Sequence, residues 1–202
     1  MAPPRDEEYY KRYINLFNLI RQAYLDEYFL NSIENFKDDL PHEINWDVHS
    51  YVFVVSHICE LVKRDLALTL WKIFYDDNGK ANTLKGLKKY LFTQYQKQIK
   101  YKETANIRNI RTQISAARNS FIAHNTLANT TLSLQCVDLI NALHDIRLFF
   151  NMLCLPDIDS RVKPISETQI YNISFQEKFG FERMLKNALQ QRKDVPQEDT
   201  DA

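Results

Sequence analysis

The chain has 202 residues, which is enough for one well-buried domain with an appendage but too few for two full domains. Only 3 glycines and 6 prolines occur, a composition that favours long helices over short strands joined by many turns. The formal net charge is zero, and no apolar stretch reaches the length of a signal core or a membrane span. These features argue against a membrane protein and predict a soluble helical domain.

Apolar residues spaced three and four positions apart predict a first helix over residues 7–36. It should end before Pro41, because the residue before a proline resists the helical conformation. A second helix is predicted over 45–75, with Asn45 as its N-cap and Gly79 just past its end. Because this helix is apolar almost all round, we expect it at the centre of a bundle.

Three further helices are predicted in the middle of the chain. The third runs over residues 82–101, and the fourth follows over 103–125. The fifth is predicted over 132–153 from an apolar stripe formed by Cys136, Leu139, Ile140, Leu143, Ile146 and Phe150. The predicted fold is therefore all-α.

The end of the chain differs in character from the rest. Pro156 and Pro164 bracket an irregular connection, and a last helix is predicted over 174–192 before an acidic tail that we expect to be disordered. We therefore predict an antiparallel helical bundle of about five helices over residues 1–155. Residues 156–202 would form a C-terminal extension with one helix.

The cysteines and histidines show no metal-binding spacing. Cys59, Cys136 and Cys154 are far apart and fit no CxxC pattern, which predicts buried free thiols in a reducing cytoplasm. His49 and His57 lie on the second predicted helix without a suitably spaced third ligand. We expect neither a metal ion nor a cofactor.

The zero net charge conceals a strong partition along the chain. Residues 78–137 contain ten basic residues and one acidic residue, Glu103, a net charge of +9 that is balanced by −9 elsewhere. Aromatic residues interleave with these charges, as in segments that bind polyanions. The alternative is a solvated helix face paired with acidic neighbours in the same fold. For polyanion binding, the candidate residues include Lys88, Lys89, Arg108 and Arg111.

The strongest candidate site is the run from Arg118 to His124 on the fourth predicted helix. On a helical wheel, Arg118 and His124 flank opposite edges of an apolar stripe, about 120° apart. Either the helix unwinds near His124, or the stripe packs against its own copy in a second subunit. We expect the second arrangement, in which the stripe consists of Ile107, Ile110, Ile114, Ala117 and Phe121.

These residue types suit phosphate chemistry. Histidine titrates near neutral pH and can accept or donate a proton. Arginine binds phosphate bidentately and stabilises developing negative charge, and asparagine can orient either group. In RNA the 2′-hydroxyl can serve as an internal nucleophile, so the reaction needs no metal. The candidate catalytic residues are Arg118, Asn119 and His124.

Asp65 is a second unusual position. Its wheel neighbours on the second helix are apolar, so this acid would need a partner if the surface is buried. Arg118, His124 or the adjacent Arg64 could supply one, and Asp65 and Arg64 would then orient the catalytic residues. Pairing with a structural arginine or lysine is an equally good interpretation.

The run Arg118-Asn119-Ser120-Phe121-Ile122-Ala123-His124 resembles the signature of the HEPN superfamily, an arginine and a polar residue followed by a short spacer and a histidine. Three further stretches resemble its abortive-infection, AbiU-type branch. They are Arg64-Asp65-Leu66-Ala67-Leu68-Thr69-Leu70, Asp76-Asp77 and Thr83-Leu84-Lys85-Gly86-Leu87. The resemblance covers about residues 10–150 and does not extend to the segment beyond Pro156.

The resemblance implies a homodimer whose two motifs meet in a cleft and cut RNA without metal, leaving a cyclic phosphate and a 5′-hydroxyl. His124 would be the acid and base, Arg118 would hold the phosphate and Asn119 would position the site. Members of the family act as toxins or phage-defence effectors, some restrained by an antitoxin. Others bind nucleotide, RNA or a partner protein without cleavage, and a simple helical adaptor is a third interpretation.

Overall fold

The computed structural model describes residues 4–37, 46–74, 83–124, 134–169 and Arg183. Within these ranges it describes all side chains except those of 34–37, 46–52, 54–55 and 116–124. Apart from Arg183, the predicted last helix over 174–192 and the acidic tail lie outside the described residues.

The described residues form five long helices and contain no β-strand, which confirms the prediction of an all-α protein. Among these residues, no helix combines the length and apolar character that crossing a membrane requires. A helical turn over 167–169 follows the last long helix. The helices are α1 (Glu7–Lys37), α2 (Trp46–Phe74), α3 (Leu84–Tyr95), α4 (Ala105–His124) and α5 (Cys136–Met152).

The third helix is shorter than predicted. It begins after Thr83, whose hydroxyl accepts a hydrogen bond from the Gly86 N–H at 3.0 Å. It ends at Tyr95, because Gln96 adopts the left-handed conformation with φ of 54°. The Gln96 N–H donates to the Phe92 carbonyl at 3.0 Å, which is the hydrogen bond of an αL cap, and the Lys97 N–H donates to the Leu91 carbonyl at 3.3 Å. The prediction that this helix continues to residue 101 is wrong, and residues 96–104 form a non-helical connection.

The helices share one hydrophobic core. Helix α1 packs mainly along α2 and also contacts α3 and α5, whereas α4 packs on α5 and α2. Each helix contributes side chains that are almost completely inaccessible to solvent, such as Ile20, Leu66, Leu87, Ile110 and Leu143. Burial of such side chains at helical spacing is the main force that holds these elements together.

Helix α2 contacts all four other helices, yet it is not buried all round. Phe53 is 73% exposed and Leu61 and Leu68 are each 48% exposed, so one apolar face of α2 points to solvent in this chain. Helix α2 therefore lies among the other helices as expected, but one of its apolar faces is left uncovered by the described residues.

The core continues past the predicted domain boundary at residue 155. Ile158, Val162 and Ile165 are buried in the same core as the helices. The hydroxyl of Tyr9 on α1 also donates to the Leu153 carbonyl at 2.6 Å and accepts from the Leu155 N–H at 2.7 Å. The segment 156–165 therefore contributes to the same hydrophobic core as the helices. The rest of the predicted extension lies largely outside the described residues.

Polar contacts fasten the start of α1 to the segment after α5. The buried carboxylate of Asp159 accepts a hydrogen bond from the Asp6 N–H at 2.9 Å and pairs with Arg161 at 2.7 Å. Hydrogen bonding from Arg161 lowers the pKa of Asp159 to about 2. Asp6 in turn caps α1 by accepting from the Tyr9 N–H at 3.0 Å. The Tyr90 hydroxyl of α3 also donates to Asp6, at 2.9 Å. These contacts fix three elements relative to one another.

A buried acid lies where α1 packs on α2. Asp26 is 4% exposed, and its Oδ1 accepts a hydrogen bond from Gln22 at 3.1 Å. Its Oδ2 has no hydrogen-bond partner among the described residues. Burial, together with the negative charge of Asp65 on α2, raises the pKa of Asp26 to about 7.

We predict that Asp26 makes folding stability depend on pH near neutrality. The pKa of this carboxyl is higher in the folded than in the unfolded chain, so its titration contributes fully to the free energy of unfolding below about pH 4. This contribution is lost as pH rises through about 7, and the free energy of unfolding changes by a total on the order of 4 kcal/mol. In urea unfolding, Asp26→Asn should remove this slope and raise the free energy of unfolding at pH 8.

The matched variant is Asp65→Asn, which removes the neighbouring charge but leaves Asp26 titratable. It should shift the slope to lower pH without abolishing it. An unchanged slope in Asp26→Asn would show that another group is responsible.

Candidate nucleic-acid interface

The predicted catalytic residues lie toward the C-terminal end of α4. The structure places Arg118, Asn119 and His124 on helical backbone, with His124 as the last residue of the helix. Their side chains lie outside the described residues, so their contacts and roles stay predictions. The helix does not unwind before His124.

The described part of the apolar stripe of α4 is buried against other residues of the same chain. Ile107, Ile110 and Ile114 are each at most 2% exposed and belong to the shared core. The prediction that these three residues pack against a second subunit is therefore wrong, because the same chain already covers them. The side chains of Ala117 and Phe121, the other members of the stripe, lie outside the described residues.

The basic segment forms an open groove of about 680 Å³ between α3 and the connection that follows it. Phe92, Ile99 and Tyr101 contribute apolar surface to the groove. Six lysines line it: Lys85, Lys88, Lys89, Lys97, Lys100 and Lys102. Such a density of positive charge in one concave surface generates a positive potential that attracts anions.

Acidic neighbours pair with part of this charge. Glu103 contacts Lys85 at 2.9 Å and Arg111 at 3.2 Å. Lys97 contacts Asp157, beyond α5, at 2.8 Å. The interpretation of a basic face neutralised by acidic neighbours therefore holds for these three cations.

Four groove lysines are not neutralised in this way. In the part of the chain that the structure describes, no carboxylate lies within 4.0 Å of the ammonium groups of Lys88, Lys89, Lys100 and Lys102. Three of these side chains are exposed and Lys88 is partly buried. They leave a cluster of available positive charge that could bind a polyanion.

The structure separates the predicted RNA-binding residues into two groups. Lys88 and Lys89 line the groove. Arg108 and Arg111 lie on α4 outside it, and Arg111 is engaged by Glu103. Lys100, Lys102 and Phe92 belong to the basic, aromatic-rich segment that the sequence identified, but they were not among the four residues chosen from it for RNA binding. The alternation of lysine with Ile99 and Tyr101 was a usable signal, but it was obscured by the prediction of a helix through residue 101.

The wall of the groove beyond α3 is held in place by contacts with the core. The Tyr101 ring stacks on Phe149 of α5, with centroids 3.7 Å apart and planes 7° apart. Thr104 accepts from the Ile107 N–H at 3.2 Å as the N-cap of α4 and donates to Asp145 at 2.6 Å. Together with the Lys97–Asp157 pair, these contacts fix both ends of the connection. The second wall of the groove is therefore held in place by contacts within the chain.

The structure changes the interpretation of Asp65. This residue is exposed, so the premise that it is a buried acid in need of a partner is wrong. The buried acid is Asp26, across the α1–α2 contact. Sequence reasoning missed Asp26, although it follows Ile20 and Ala23 at the spacing of the buried face of α1. The predicted role of Asp65 and Arg64 in orienting Arg118 and His124 is untested.

The three cysteines differ in burial. Cys154 is buried, and burial raises the pKa of its thiol to about 12. Cys59 is partly buried and Cys136 is exposed, so the prediction of a buried thiol is wrong for Cys136. Among the described residues, no three histidine, cysteine or acidic side chains are grouped as a metal site would require.

Comparison of the chain with protein-family models, with curated proteins and with solved structures gives no match.

Tyr101 generates a prediction about how the groove is held. Its hydroxyl is buried without a hydrogen-bond partner among the described residues, and burial raises its pKa to about 12. Removing the hydroxyl relieves this desolvation, so Tyr101→Phe should raise the free energy of unfolding by about 1 kcal/mol. Removing the ring in Tyr101→Ala should lower it by about 3 kcal/mol, because the stack on Phe149 is lost.

Urea unfolding at constant pH measures both changes. If Tyr101→Phe is instead markedly less stable, the hydroxyl has a partner that stabilises the connection, and the ring is not its main anchor.

Proposed function

We propose that this protein is a metal-independent endoribonuclease of the HEPN type that acts in the cytoplasm as a toxin or abortive-infection effector. The observation that carries the proposal is the intact Arg118-Asn119-x4-His124 motif toward the end of α4 in an all-α chain. The lysine-lined groove at the other end of α4 supports it, because an enzyme that acts on RNA needs a surface for phosphates.

The chemistry assigned to the motif uses the substrate's own nucleophile. His124 takes the proton of the RNA 2′-hydroxyl, and the 2′-oxygen attacks the adjacent phosphorus. The bond from phosphorus to the 5′-oxygen breaks, and a histidinium returns a proton to that oxygen. The products are a 2′,3′-cyclic phosphate and a 5′-hydroxyl. Arg118 stabilises the charge that develops on the phosphate, and Asn119 positions it.

We also propose a homodimer, with a different contact from the one that the apolar stripe predicted. The apolar face of the first turns of α4 is buried within the chain at Ile107, Ile110 and Ile114, so this face cannot meet a second copy. On one straight helix Arg118 and His124 point about 120° apart. Two copies that meet through the last turns of α4 would let one subunit supply arginine and the other histidine to the same phosphate. An antitoxin that covers this contact would restrain the enzyme.

We predict that purified protein cleaves single-stranded RNA in EDTA and that His124→Ala and Arg118→Ala each lose at least about 100-fold in rate. Fluorescent RNA and end-group analysis measure the rate and the product ends. His57→Ala and Arg21→Ala are matched controls, because His57 and Arg21 are exposed residues of the same types outside the motif and outside the predicted RNA-binding residues. Equal activity in the motif variants would exclude the assigned roles.

A second candidate function is RNA or nucleotide binding without cleavage. It is favoured by the four groove lysines that have no acidic partner among the described residues. This function predicts RNA affinity with no product in EDTA or in Mg²⁺. Expression of the native protein and of His124→Ala would then leave growth equally unaffected, whereas the nuclease predicts growth arrest by the native protein alone.

A further inference from the structure

The groove lies at the opposite end of α4 from the motif. It adjoins residues 102–104, just before α4 begins, whereas Arg118 lies 13 residues along the helix, about 20 Å by helical rise. We infer that the groove is a separate binding site for single-stranded RNA, one that anchors the strand away from the cleaved bond. The choice of RNA as the ligand rests on the proposed function.

The charge of the groove carries the first step of this inference. Lys88, Lys89, Lys100 and Lys102 line one concave surface, and no described carboxylate lies within 4.0 Å of any of them. A ligand that binds them therefore breaks no internal ion pair to a described residue. The free energy gained when counterions are released from the phosphates is then not offset by the loss of such a pair. A strand that follows the groove would place successive phosphates against lysines on both walls.

Phe92 distinguishes nucleic acid from other polyanions. It is 52% exposed and lies among the lysines. An exposed ring among cations offers a base a stacking surface and costs the fold little. Tyr101 is less available for stacking, because one face of its ring is covered by Phe149. Stacking on Phe92 requires an unpaired base, so the groove selects single strands over duplexes.

The shape of the groove argues against an anionic membrane as the ligand. The lysines lie on two walls, α3 and the connection after it, around a space of about 680 Å³. A bilayer is flat on this scale and has no extended segment that could enter the space between the two walls. A single strand can enter the groove and contact both walls.

The distance along α4 sets the length of strand that can use both sites. A stacked strand advances about 3.4 Å per nucleotide, so about six nucleotides span the roughly 20 Å between the groove and Arg118. A substrate of four nucleotides can reach the motif without the groove, whereas one of twelve reaches both. The groove should therefore lower KM for long substrates only.

Binding is tested with a fluorescent 12-nucleotide single-stranded RNA in the His124→Ala background, which prevents cleavage. The triple variant Lys89→Gln, Lys100→Gln, Lys102→Gln should bind at least tenfold more weakly at low salt. Its slope of log affinity against log salt should be less steep by about 2, since each phosphate contact contributes about 0.7. The control Lys11→Gln, Lys72→Gln, Lys163→Gln removes the same charge from exposed positions outside the groove. If the two triple variants lose the same amount of RNA affinity, the inference is overturned.

Phe92→Leu keeps apolar bulk but removes the aromatic face. It should weaken binding about fivefold without changing the salt slope, and Phe92→Tyr should restore affinity. Native affinity in Phe92→Leu overturns the assignment of a base to this ring. Tighter binding of a 12-base-pair duplex than of the single strand overturns the selection for single strands. Binding to vesicles with 30% anionic lipid is measured in the same variants. If vesicle binding depends on the three lysines and RNA binding does not, the groove is a membrane site and the inference is overturned.

Cleavage of 4- and 12-nucleotide substrates separates this inference from the proposed function. With an active native protein, the lysine triple variant should lose only the advantage of the long substrate and cleave the short one at the native rate. If the native protein cleaves nothing but binds RNA through these lysines, the nuclease proposal fails and the groove stands. If cleavage proceeds and KM for both substrates is unaffected by the triple variant, the groove fails and the nuclease stands.

Discussion

The left-handed conformation of Gln96 is the constraint on which the basic groove depends. A non-glycine residue in this conformation costs about 1–2 kcal/mol, which the capping hydrogen bonds and the packing of Tyr101 on Phe149 offset. On a continuous helix Lys102 would lie about 20 Å from Lys89 along the axis and about 140° around it. Because the chain turns at Gln96, the two lysines instead line the same groove.

The sequence predicted where the helices lie better than it predicted which surfaces pack against them. Long apolar stripes located all five, since periodicity reports which face is buried. The end of α3 was missed because neither glycine nor proline marks it, and because long-range contacts such as Tyr101 on Phe149 help to stabilise the connection. The stripe at Ile107 and Ile114 was correctly identified as buried but wrongly assigned to a second subunit. A stripe does not specify which surface covers it.

The same limit applies to charge. The net charge of +9 in residues 78–137 could be read from the sequence. Which of these basic residues form ion pairs could not, because their acidic partners lie far away in the chain. Lys97 is neutralised by Asp157, 60 residues later, and Glu103 bridges Lys85 and Arg111 from different helices. Both interpretations of the basic segment therefore describe part of it. Among the described residues that line the groove, the available charge is that of Lys88, Lys89, Lys100 and Lys102. Asp26 was overlooked for a related reason, since its cost of burial depends on how α1 meets α2.

Helix α4 connects the two features that the proposed chemistry needs. Its first turns are anchored in the core by Ile107, Ile110 and Ile114, and Thr104 caps its start beside the groove. A helix held in this way transmits position rigidly, so the groove stays at a fixed distance from the backbone of Arg118. The core-facing stripe also leaves only the last turns or the outer faces of α4 for a second subunit. If the last turns make the contact, the two motifs meet at the centre and the two grooves lie toward the outer ends. Each strand then reaches the centre from its own groove, which is the arrangement that two separate substrates would need.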